Sequence, residues 1–166
     1  MAAGSTYTPI ATTTLGSAAS SYTFSSIPST YTDLVLVTSA AGTAGADMKL
    51  QFNSDTATNY SRTYLSGSGT SAVSGRASAT ASAGITAYGT LTATLGGTNN
   101  VTHVMNYSNS TTYKTVLARS NDAGAGVDAI VSMWRSTSAI TSIKIEVSTC
   151  NFSVGSTFTL YGIAAA

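Results

Sequence analysis

A chain of 166 residues with seven Lys and Arg, six Asp and Glu and a formal net charge of +1 suits one domain that folds without disulfides or a structural metal. Charge so sparse and balanced excludes the basic stripe with which nucleic-acid binders neutralise phosphates, and the charge excess of a disordered solvating tail. Cys150 stands alone, so no internal disulfide or cysteine metal framework is expected, and it reads as a small buried hydrophobe.

Residues 1–19 are mostly Ala, Ser, Thr and Gly, with Tyr7, Ile10 and Leu15 as the large apolar groups. They read as an edge strand or as an extended arm lying on a neighbouring subunit. Met1 to Pro9 has no Lys or Arg and no apolar run, unlike a signal peptide. No stretch approaches the roughly twenty apolar residues of a membrane helix. A soluble protein made in a cytoplasm is the expectation.

Tyr22 and Phe24 alternate with Ser and Thr in a short strand that stops at Pro28, since proline cannot donate to a ladder. Leu34 to Val37 is apolar on both faces and reads as a central strand. Met48, Leu50 and Phe52 alternate with Lys49 and Gln51, and Tyr60, Arg62 and Tyr64 open the next strand. Residues 66–86, rich in Ser, Gly and Ala with Arg76 as their charge, read as a long flexible or contact loop.

Tyr88 to Leu95 resumes strand pattern, and Gly96 and Gly97 signal a turn. Val101 to Met105, Tyr113 to Leu117 and Val127 to Trp134 supply three more strands. Ile143, Ile145 and Val147 alternate with polar residues, as do Phe158 and Leu160. These two runs read as an antiparallel pair closing the fold, with Ile143, Ile145, Phe158 and Leu160 inward. The expected fold is all-β, an antiparallel β-sandwich of eight to ten short strands, jelly-roll-like. Residues 1–19 form its arm and residues 20–166 its single domain.

Groups for catalysis are scarce. His103, the sole histidine, sits in a strand run and reads as partly buried with one ring nitrogen hydrogen-bonded. No G-x-S-x-G elbow accompanies it. Glu146 is the sole glutamate, so a carboxylate pair for glycoside hydrolysis would need Asp alone. An enzyme is not expected, and neither is a cofactor or metal. Asn53, Asp55 and Asn59, with Asp47, are the best oxygen-rich group, but they read as an Asx turn rather than a calcium site. Asn121 and Asp122 read the same way. Several Asn-x-Ser/Thr matches are discounted as chance in so Ser- and Thr-rich a chain. Nine tyrosines suit adaptable contact surfaces, and Trp134 reads equally as core filler or interface anchor.

The segments Phe24–Val37, Phe52–Ser61, Trp134–Ile143 and Gly155–Ile163 together resemble recurring segments in structural proteins of tailed bacteriophages, notably marine and cyanobacterial ones. The resemblance implies a virion surface protein with a jelly-roll-like sandwich, often trimeric. A capsid decoration or cement protein fits best. Similar modules end tail fibres, where they would bind host cell-surface glycan. The implied partners are the chain itself as a homo-oligomer and the major capsid protein or other virion proteins, with neither nucleic acid nor membrane. Candidate assembly contacts are Tyr7, Pro9, Ile10, Leu15, Arg76 and Trp134, with the arm touching another chain, most simply in a trimer.

Overall fold

A computed structural model of the chain describes residues 6–87 and 91–164. Twelve strands lie there. In chain order the first six are β1 (Tyr7–Thr14), β2 (Ser21–Phe24), β3 (Asp33–Ala40), β4 (Met48–Phe52), β5 (Tyr60–Gly67) and β6 (Ala72–Thr80). Then come β7 (Ala83–Gly84), β8 (Thr98–Met105), β9 (Lys114–Asp122), β10 (Gly126–Trp134), β11 (Ile143–Val147) and β12 (Thr157–Ile163). They form an eight-stranded sheet of order β1-β12-β3-β8-β9-β10-β5-β6 and a four-stranded sheet of order β2-β11-β4-β7. Every neighbouring pair is antiparallel. The chain is an all-β sandwich.

The core follows from period-two alternation. Leu34, Leu36, Val104, Val116, Ile130, Phe158 and Leu160 of the large sheet face Met48, Leu50, Phe52, Ile143 and Ile145 of the small one, all buried. Each such side chain contributes about 1.5–3 kcal/mol on burial. Tyr22 stacks on Phe158 across the sheets at 6.0 Å and 8°.

The four inward residues named at the chain's end are all buried, but their strands are not partners. β11 lies between β2 and β4, and β12 between β1 and β3. The connection at 148–156 crosses from one sheet to the other, because both strands carry one apolar face and the core lets these faces meet across it. Two further expectations need correction, and both raise the strand number above eight to ten. Residues 7–14 take the edge-strand reading and not the arm: β1 pairs with β12 of the same chain at the sheet's edge, while Ile10 and Leu15 pack against the core. Residues 66–86 are not a long loop, since they hold the end of β5 together with β6 and β7. β6 is an edge strand held by its ladder to β5. Little packs on it, so it needs no large side chains and left no hydrophobic signature.

The strand expected over Tyr88–Leu95 lies partly outside the described residues. From Leu91 onward it holds an isolated bridge to Ala46 and the turn at Gly96. The large sheet overhangs the small one, and segment 83–87 covers part of the overhang. Past β7 that backbone is irregular, so the sheet beneath must supply hydrogen-bond partners. Across its inner face run Thr38, Asn100, Ser120, Asp128 and Ser66, in register and buried. Asn100 Nδ2 donates to Ile85 O at 2.9 Å, and Ala87 N donates to Asp128 Oδ2 at 2.9 Å. Ser66 Oγ donates to Asp128 Oδ1 at 2.5 Å. Ser132 Oγ reaches Gly84 O at 2.9 Å.

The edges of the large sheet differ. β1 carries Pro9 and a bulge between Pro9 and Ala11, two devices that spoil an edge for further pairing. β6 presents Ala72, Ser74, Gly75, Ala77 and Ser78 around Arg76, with its register shift confined to the far end near Ala79.

Candidate functional site

The outer face of the eight-stranded sheet is the surface that sequence polarity does not account for. One row of register partners crosses all eight strands: Pro9, Tyr161, Val35, His103, Leu117, Val131, Thr63 and Arg76. At about 4.8 Å per strand the row spans roughly 34 Å. The next row places Thr159, Val37, Val101, Arg119, Ala129, Leu65 and Ser74 side by side. Leu117 is 44 % exposed, Val131 43 % and Leu65 59 %. The middle of the face forms a concavity of about 720 Å³, reaching from Tyr7 to Ser74. Polar residues line much of its margins, with Thr12, Thr157, Asn99 and Asn121 beside Val127 on one side and Ser61, Ser78 and Thr115 beside Met105 and Met133 on another. An apolar centre inside a polar rim is the anatomy of a protein–protein interface. Contiguous exposed apolar patches of this kind mark interaction sites.

Of the residues singled out from sequence, the fold brings Pro9 and Arg76 to opposite ends of one row and puts Tyr7 at the rim. There Tyr7 meets Tyr161 edge-on, with ring centroids 6.2 Å apart. Ile10 and Leu15 turn inward. Trp134 is no surface anchor: it is 2 % exposed, stacks on Tyr60 at 6.1 Å, and its Nε1 donates to Asp55 at 2.7 Å. The indole fills the gap between the sheets at the end of β10, which uses up both its apolar body and its polar tip.

The face's central residues, Val101, Leu117, Arg119, Ala129 and Val131, were not singled out. Their signal was present in strands apolar on both faces, such as Val116-Leu117-Ala118 and Ala129-Ile130-Val131. In an antiparallel sheet with one layer behind it, such runs place apolar side chains outside.

The polar groups elsewhere are occupied in holding loops. His103 has Nε2 at 2.9 Å from Asp33 Oδ2, while Asp33 Oδ1 accepts Asn106 N–H at 2.7 Å. This matches the part-buried, singly bonded histidine expected. Asp55 accepts from Asn59 Nδ2 at 3.0 Å, Trp134 Nε1 and Ala57 N. The bonds from Asn59, Trp134 and Ala57 lower its pKa, against the opposing effect of burial. Asn53 Oδ1 accepts from Thr141 N and Ser142 N, and its Nδ2 donates to Ala139 O. These oxygens are engaged as an Asx turn and loop staple, and Asp122 likewise accepts Gly124 N–H at 2.8 Å.

Tyr60 is fully buried, which pushes its phenol up to about 12; its hydroxyl accepts Phe52 N–H and donates to Asp55 O. Lys114 is buried too, with Nζ donating to Thr112 O and Thr137 O, and burial lowers its pKa. Cys150 is half-buried against the core. No protein-family model matches the chain, and no curated protein matches it.

Proposed function

We propose that this chain is a structural protein of a bacteriophage virion, a capsid decoration or cement protein that binds the head surface and stabilises it. The observation that carries this reading is the outer face, with its apolar centre, concavity and polar rim on a rigid sheet. A surface of that kind serves adhesion to another protein. The segments resembling phage structural proteins support the same reading from the side of the scaffold.

The strand order supports a jelly roll. In an eight-stranded jelly roll the first, eighth, third and sixth strands share one sheet, and the second, seventh, fourth and fifth share the other. Taking β2, β3, β4, β5, β6, β7, β10 and β11 as those eight gives β2-β11-β4-β7 and β3-β10-β5-β6. The hairpin β8-β9 is then an insertion between β3 and β10, while β1 and β12 extend the β3 edge.

A tail module binding host glycan would be better served by aromatic faces beside amides and carboxylates. The concavity offers mainly aliphatic side chains, which favours the decoration reading. Mapping the chain on intact particles tests it. Many copies spread over the head are expected, and a few copies confined to the tail would overturn the reading. In reassembly, the Leu117→Asp, Val131→Asp double variant should fold yet fail to decorate emptied heads.

A further inference from the structure

Arg119 lies in the middle of the outer face, between Val101 on β8 and Ala129 on β10 in register, with Leu117 on the same face of its own strand. Among the described residues its guanidinium has no hydrogen bond or ion pair. The six Asp and Glu side chains are all engaged elsewhere. Asp33 holds His103, Asp47 pairs with Arg62, and Glu146 pairs with Lys144 at 2.6 Å. Asp55 accepts from Trp134 Nε1, Asp122 from Gly124 N and Asp128 from Ala87 N.

Covering an apolar face that contains an unpaired guanidinium strips water from the charge, and apolar contact alone does not offset that loss. A carboxylate meeting the fork of Arg119 in two parallel hydrogen bonds does. Among the described residues, a second copy of this chain has no disengaged Asp or Glu side chain to bring. Its own outer face is concave as well, so two such faces would enclose a void. We infer that the outer face docks a protein whose convex surface sets an Asp or Glu among aliphatic side chains, with that carboxylate seated on Arg119. This deepens the proposed function and rests on it.

The test uses the full chain and three cyclised β-hairpin peptides that share one Val/Leu face and differ at its centre, which is Glu, Gln or Lys. Binding is read from the methyl resonances of Val101, Leu117 and Val131. The Glu peptide should bind about tenfold or more tighter than the Gln peptide, as a charge-assisted pair requires, and the Lys peptide weakest. In Arg119→Glu the order should invert. Equal binding by all three peptides, or an order unchanged in Arg119→Glu, overturns the carboxylate and leaves docking at this face intact. Absence of methyl shifts with every peptide also overturns the inference, while the copy count on virions decides the decoration reading separately. Sedimentation of the protein alone supplies a further arm. Self-association abolished by Leu117→Asp and untouched by Arg119→Gln would put a second copy on this face and overturn the inference.

Discussion

The two faces of the eight-stranded sheet invert the usual rule at its middle strands. Inside, Thr38, Asn100, Ser120, Asp128 and Ser66 form a buried polar row; outside, Val37, Leu117 and Val131 stand in water. Each half of the inversion has a cause. The inner row lies where irregular backbone covers the sheet, so Asn100 and Asp128 satisfy a carbonyl and an amide that no ladder reaches, Ser66 bonds Asp128, and Thr38 Oγ1 is left without a partner among the described residues. The outer row has nothing upon it among the described residues. Polarity in this sheet thus reports what lies opposite a side chain rather than how deep it sits.

The comparison is broken most severely from the inside. Asp128→Ala leaves Ser66 Oγ and Ala87 N without their acceptor at a buried position, and should cost about 3 kcal/mol or more in urea unfolding. Next comes a matched pair of leucines. Leu36→Ala, at a site with no exposure, should cost about 3 kcal/mol. Leu117→Ala on the other face should cost under about 0.5 kcal/mol. Equal losses for the two leucines would show that the outer face is packed against something.

A third measurement sharpens the contrast by pH. The fold keeps the Tyr60 proton up to about pH 12, whereas the unfolded chain releases it near pH 10. Between these values the unfolded state binds fewer protons, so stability falls as pH rises, by on the order of 2 kcal/mol across the window. Tyr60→Phe should cost about 1 kcal/mol at pH 8 through its lost hydrogen bonds and should flatten much of that alkaline decline. The smallest effect is expected at Arg119→Gln, within about 0.5 kcal/mol of the parent, because the guanidinium holds nothing among the described residues.

How much of this was legible in the sequence depends on what each segment packs against. Ile143, Ile145, Phe158 and Leu160 alternate against one core, and their burial could be read directly. The pairing of their strands could not, because period two fixes a face and not a neighbour. Val35 and Val37 made β3 look buried on both sides, although Val37 is exposed. The same ambiguity hid Leu117 and Val131. β6 was invisible because an edge strand with one neighbour is specified by its backbone ladder, and Ser, Gly and Ala also compose loops. Trp134 was undecided until the fold brought Asp55 to its indole, a meeting of residues distant in sequence.

The unlike margins of the large sheet carry a consequence for growth. At β1 the missing amide of Pro9 and the adjacent bulge make a terminus to which another ladder cannot bond in register. At β6 the small side chains leave the backbone approachable along most of its nine residues. A ribbon sealed at one end and open at the other can join a second ribbon open end to open end. The product then has two sealed ends, so coupling halts at a pair and fibres cannot propagate by this route.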